Sequence, residues 1–192
     1  MWELLHRNIE RHVSIDTGEK KIIESLFRHK KYRRRQYLLQ EGETCRYESF
    51  VIKGCTRTYQ VDKKGQEHVL QFAPEEWWTG NMYSFLTSQP SEFNIDCIED
   101  TEILHITRPD LEKLYGLVPK MERFFRIIIQ NAFIALQKRV MTTLTQSAAE
   151  RYLDFINKYP KIEQRIADKQ IASYLGLTPQ SLSRIRRNFK PD

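Results

Sequence analysis

Most of what this 192-residue chain lacks excludes a class of protein. No window holds the roughly 18 uninterrupted apolar residues that a bilayer-spanning helix needs. The start, Met1 to Arg7, has neither the apolar stretch nor the small-residue cleavage site of a signal peptide, so a cytoplasmic location is expected. The three cysteines, Cys45, Cys55 and Cys97, are odd in number and widely spaced. That argues against a disulfide framework and against the short spacings of zinc or iron–sulfur sites, and the thiols read as buried or half-buried. The five histidines (His6, His12, His29, His68, His105) are scattered, and no HExxH, GxSxG or phosphate-loop pattern is present. Catalysis needs a base, a nucleophile or a metal held in common, and these residues assemble none. An enzyme, a metal site and a cofactor are therefore not expected.

What the chain has is positive charge, unevenly spread. The formal net charge is +6. Residues 151–192 carry nine basic against four acidic side chains, which leaves the first 150 residues nearly neutral. A concentration of this kind is the electrostatic footprint of a polyanionic partner.

The hydrophobic period changes twice along the chain. The first 29 residues read as helical, with Asp16 and Glu19 spaced as a capping box ahead of Ile22, Ile23, Leu26 and Phe27. From about residue 32 the period is two, in short runs at 37–39, 50–52, 56–61, 68–72, 96–98 and 102–106, separated by turns at Gly42, Gly54 and Gly65. Such spacing predicts a small antiparallel roll. The run Arg28 to Arg35 reads as a solvated, charged bend leading into the first strand. Past Pro109 the pattern is helical again, first over Asp110 to Tyr115 and then along a long segment from Pro119. Its apolar residues, from Met121 through Phe124, Phe125 and Ile127–Ile129 to Phe133, Ile134, Leu136 and Val140, surround the helix and demand more than one cover. The roll is one cover, and the same helix of a second subunit is the simplest other. Ser147 and Glu150 form a second capping box, and Pro160 stops the helix that follows.

Residues 168–187 carry the sharpest motif. Asp168 is expected to cap a helix that turns Ile171, Ala172 and Leu175 inward, and Gly176 to end it in a left-handed turn. Leu177 plugs the turn, Thr178 caps the next helix, Pro179 takes its first position, and Leu182 and Ile185 pack back on the first helix. These requirements hold together within 20 residues, which is the signature of a DNA-binding helix-turn-helix. Gln180, Ser181, Ser183, Arg184, Arg187 and Asn188 then face outward, with Lys169 on the preceding helix. Gln and Arg are the side chains whose paired hydrogen bonds match adenine and guanine edges. Arg186, Arg187 and Lys190 are expected to hold phosphates.

The order of roll, long apolar helix and helix-turn-helix resembles the family of the cyclic-AMP receptor protein and the fumarate–nitrate reduction regulator. The likeness rests on Leu38-Leu39-Gln40-Glu41-Gly42-Glu43, Phe50-Val51-Ile52-Lys53-Gly54, the Gly65 turn, and residues Ile171 to Ile185. It implies an α+β fold, with a sensory β-roll of the cyclic-nucleotide-binding type (a double-stranded β-helix) and flanking helices. It implies a homodimer through the long helix and a C-terminal reader of palindromic double-stranded DNA. Domains are expected at 1–144 and 145–192. In family members that bind cyclic nucleotides, a Gly-Glu pair holds the ribose and an Arg-Ser or Arg-Thr the phosphate. Here Gly80-Asn81-Met82 replaces the first, and Pro90-Ser91-Glu92-Phe93-Asn94 has no arginine. A carboxylate at Glu92 opposes a phosphate, so cyclic AMP in the family manner is not expected. Gly80, Asn81, Met82, Ser91 and Glu92 are candidate residues for a less charged effector, and Trp77, Trp78, Tyr83 and Phe85 are either pocket or core. No cysteine precedes Cys45, which removes the iron–sulfur branch. At the start of the reading helix, cyclic-AMP-binding members carry Arg-Glu where this chain has Pro179 and Gln180, and only Arg184 keeps its type. The expected function is a transcriptional regulator gated by an unidentified small molecule, with RNA polymerase as a further partner. The alternative is a small-molecule-binding regulatory module that acts through protein partners.

Overall fold

Helices α1 (Trp2–Glu10) and α2 (Thr17–Leu26) open the chain. The capping box forms as the spacing predicts: the Asp16 carboxylate accepts from Glu19 N–H at 2.9 Å and Glu19 accepts from Asp16 N–H at 2.8 Å. The computed structural model describes residues 1–160 and 162–188.

Eight strands follow: β1 (Arg28–Tyr32), β2 (Tyr37–Leu39), β3 (Tyr47–Lys53), β4 (Thr56–Val61), β5 (Glu67–Ala73), β6 (Trp78–Thr79), β7 (Asn94–Cys97) and β8 (Thr101–Thr107). Helix α3 (Met82–Thr87) interrupts them after β6. They form two four-stranded sheets, ordered β1-β8-β3-β6 and β2-β7-β4-β5. Alternation along β3 and β8 turns Phe50, Leu104 and Ile106 into an apolar core with Leu5, Ile9 and Ile23. The charged bend expected at residues 28–35 is, over its first five residues, strand β1. It lies at a sheet edge and pairs with β8 from Arg28 opposite His105 to Tyr32 opposite Thr101. Its first four residues are exposed, so no apolar alternation announces it, and lysine on an edge discourages pairing with another chain.

Helix α4 (Arg108–Leu117) runs past Gly116, and α5 (Lys120–Thr145) begins one residue after Pro119. Met121, Phe124 and Phe125 join the core around Phe50, which is the first of the two covers the long helix needs. Then come α6 (Ala148–Lys158), a 3-10 turn (Ile162–Gln164), α7 (Asp168–Leu175) and α8 (Pro179–Asn188). The second capping box is present, with Glu150 N–H donating to Ser147 Oγ and Ser147 N–H to Glu150.

By packing, the chain divides into two units: residues 1–58 with 72–131, and residues 59–71 with 132 onward. The second unit thus includes the tip of the β4–β5 hairpin. No helix among the described residues is long and apolar enough to cross a membrane.

Candidate nucleic-acid interface and roll interior

The helix-turn-helix is built on a small buried core of Ile171, Ala172, Leu175 and Leu182, supported by Tyr152, Phe155 and Tyr159. Gly176 takes φ +67°, ψ 36°, a left-handed turn that a Cβ would strain. Thr178 Oγ1 accepts from Ser181 N–H at 3.2 Å and so caps α8, with Pro179 at its first position. One cap departs from expectation. Ala167 is the N-cap of α7 and Asp168 its first residue, without a side-chain cap bond. Asp168 instead accepts from Arg186 Nη1 at 2.6 Å.

That bond corrects the reading of Arg186. Its guanidinium also lies 3.0 Å from Glu163 on the 3-10 turn, and Glu163 accepts from the Tyr152 hydroxyl at 2.7 Å. Arg186 is an internal tie across three helices and the turn, not an outward phosphate contact. Burial nevertheless leaves the opposite side of α8 open. Gln180, Ser183, Arg184 and Arg187 are exposed and, with Pro179, border one shallow surface concavity of about 540 Å³. Asn188 and Lys169 are exposed but outside it, and Thr178 and Ser181 serve the helix start. Lys190 lies outside the described residues.

On the far side of α7, Ser173 brackets the hairpin. Its hydroxyl donates to Glu67 O at 2.6 Å and accepts from Val69 N–H at 2.9 Å. Arg139 of α5 donates to Val69 O at 3.1 Å, Tyr174 O at 3.0 Å and Leu70 O, and stacks 4.0 Å from the Tyr174 ring. Sequence reasoning missed both residues. The basic pair Lys138-Arg139 between Leu136 and Val140 of α5 was the available signal.

The roll interior is polar but closed. Arg57 on β4 grips Asp96 on β7 with two bonds, Nε to Oδ1 at 2.8 Å and Nη2 to Oδ2 at 2.9 Å. The His105 imidazole is hydrogen-bonded to the Tyr32 and Ser49 hydroxyls, each at 2.8 Å. Burial pulls its pKa down to about 4, so it is neutral in the folded roll. Beside it remains a cavity of about 20 Å³, lined by Gly80 among others. Of the other candidate effector residues, the structure joins Asn81 to Ser91, Nδ2 donating to Oγ at 2.7 Å, while Asn81 Oδ1 caps α3 by accepting from Ser84 N–H. Met82 and Glu92 lie at the surface. Gly80 runs so close to Glu48 that a Cβ there would lie 2.7 Å from the carboxyl oxygen. Glu48 is buried, its Oε1 has no hydrogen-bond partner, and burial lifts its pKa to about 8. Trp78 and Phe85 belong to the core, Trp78 packing 5.1 Å from the Phe125 ring, whereas Tyr83 is exposed.

Residues 29–116 match the family model described as the cyclic nucleotide-binding domain. Over 176 residues the chain is 22% identical to the fumarate and nitrate reduction regulatory protein of Vibrio cholerae, covering 85% of this chain and 69% of that one. The chain is thus similar to regulators of the Crp/Fnr type. The fold agrees. FixK2 from Bradyrhizobium japonicum superposes with a TM-score of 0.69 at 20% identity, over 84% of this chain and 83% of that one. The c-di-GMP responsive global regulator CLP of Xanthomonas campestris superposes at 0.72 with 14% identity, over 90% and 91%. The relatives it matches are named as regulatory proteins. The matched residues include most of the roll, whose interior is occupied by protein side chains.

Proposed function

We propose that this chain is a transcriptional regulator of the Crp/Fnr type that binds a palindromic site in double-stranded DNA as a homodimer, with α8 in the major groove. The outward face of α8 carries the reading, because Gln180, Ser183, Arg184 and Arg187 are exposed on one side while Arg186 is held inward. Gln180 and Arg184 read base edges, and Arg187, Asn188 and Lys169 meet phosphates, with Thr178 and Ser181 at the helix start. The dimer forms along α5. Ile129, Phe133, Leu136, Val140 and Leu144 are 43%, 59%, 49%, 52% and 74% exposed, and at helical spacing they share one stripe, the second cover the sequence demands. Residues 1–144 act as sensor and dimerisation helix and residues 145–192 as the DNA-binding domain, in the cytoplasm, with RNA polymerase as protein partner. The effector is a small molecule other than cyclic AMP, since the segment Pro90 to Asn94 holds no arginine for a cyclic phosphate and carries Glu92 instead.

The test is selection of bound fragments from genomic DNA with purified protein, with and without a small-molecule extract. Recovered sites are expected to be inverted repeats with half-sites about 34 Å apart and affinity that falls steeply with salt. Arg184→Ala is expected to cost about 1–3 kcal/mol on the selected site and relax one base position. Parent-like binding of selected and random DNA by that variant overturns the assignment.

A further inference from the structure

Within the second unit, α5, α6 and α7 line a half-open cavity of about 200 Å³ that the roll-based reading does not use. One wall is apolar and aromatic. Phe155 and Tyr174, with ring centroids 5.4 Å apart, meet Leu175 and Ala135 there. The remaining wall is cationic. Lys138, Arg139, Arg151 and Lys158 all line the cavity, against the single carboxylate of Asp154.

Three of these cations, Lys138, Arg139 and Arg151, pair with no carboxylate among the described residues. Among the described residues Arg139 is bound only by backbone carbonyls and the Tyr174 ring. Arg151 is half-buried and spends Nη1 on Gln146 O at 2.9 Å, while its Nε is buried with no hydrogen-bond partner. Among the described residues no carboxylate pairs with Arg151 or Lys138. Like charges gathered around a partly desolvated space repel one another, and an anion in that space relieves them. Thr142 and Thr143 both donate to Arg139 O at 2.9 Å, so the cations rather than the hydroxyls are left to bind it.

We propose that this cavity is a binding site for a small oxyanion carried on an aromatic body. A dry cavity of about 150 Å³ accommodates a benzene ring, so the space here suits one ring with a charged head group. The ring lies against Phe155 and Tyr174, and the head group faces Arg151 and Lys138. The exposed stripe of α5 does not compete for this space. At about 100° per residue, Ala135, Lys138 and Thr142 fall roughly opposite Ile129, Phe133, Leu136 and Val140. Because one wall is α5 and the other includes the first helix of the helix-turn-helix, an occupant bridges the two. Arg139 extends that bridge to the hairpin strand at Val69 and Leu70.

The experiment is isothermal titration of the full-length protein with salicylate, phenyl phosphate, inorganic phosphate and neutral benzyl alcohol. At least one aromatic anion is expected to bind at least about tenfold more tightly than both benzyl alcohol and inorganic phosphate. Salicylate against phenyl phosphate then separates a carboxylate from a phosphate head group. Lys138→Glu, at an exposed position that leaves the fold intact, is expected to weaken binding about tenfold, and Arg151→Gln to do the same with an unchanged circular dichroism spectrum. Equal binding of benzyl alcohol or of inorganic phosphate, parent-like affinity in Lys138→Glu, or no binding of either aromatic anion at millimolar concentration overturns the proposal.

Discussion

The roll interior and the outer face of α8 use the same side-chain chemistry in opposite ways. Inside the roll Arg57 is matched by Asp96 and His105 by two hydroxyls, so these buried polar groups are satisfied within the chain. On α8, Gln180 and Arg187 make no hydrogen bond within the described residues, and Arg184 makes only a 3.4 Å contact to Ser181. A polar group matched within the chain specifies architecture, whereas one held out and unmatched is available to a partner. Arg186, beside Arg187 of the second kind, is of the first, and Glu48, Thr56 and Thr79 carry buried oxygens that escape the rule.

The largest expected effect comes from breaking the inward side of this contrast. Asp96→Ala strands the Arg57 guanidinium and is expected to cost about 3–5 kcal/mol in urea unfolding, most of which Arg57→Met with Asp96→Leu restores. Failure of the paired change to restore stability would mean that the ion pair does more than fill space. Glu48 gives the next effect. Its folded pKa is raised to about 8 from 4.5, so its contribution is complete below pH 4.5 and is lost as pH rises through 8. His105 works the other way, losing stability as pH falls from 6.5 through 4, and the two oppose each other between pH 4.5 and 6.5. Between pH 6.5 and 8 Glu48 acts without that opposition, and stability is expected to fall by about 2 kcal/mol. Glu48→Gln should flatten that limb, as thermal melts across the range would register. The smallest effect sharpens the comparison within one helix. Arg186→Ala is expected to lower stability by about 1–2 kcal/mol, given the partial exposure of its pairs, and to leave base preference unchanged. A shifted base preference in that variant would put Arg186 at the DNA after all.

How legible each part was depends on how far apart its partners lie. The helix-turn-helix and both capping boxes were readable because every requirement, from Ser147 with Glu150 to Gly176 and Pro179, closes within a few residues. Strand β1 was hidden because its register depends on β8, some 73 residues later, and its own residues are charged. Asp168 was assigned to a cap on local grounds and is held by Arg186, 18 residues on. The candidate effector residues lay close together in sequence, but only the fold shows Asn81 spent on Ser91 and Gly80 pressed against Glu48.

By itself, the sequence determined the two capping boxes, the Gly176 turn with Pro179 after it, and that a roll precedes a long apolar helix and a helix-turn-helix. Backbone sterics, caps and hydrophobic period act over a few residues and need no distant partner. Only the tertiary structure decided which cations are spent and which stay available. Arg57 and Arg186 find carboxylates 39 and 18 residues away, whereas Arg184 and Arg151 find none among the described residues. A charge states its sign in the sequence, but its partner is chosen by a fold that brings distant segments within hydrogen-bonding reach.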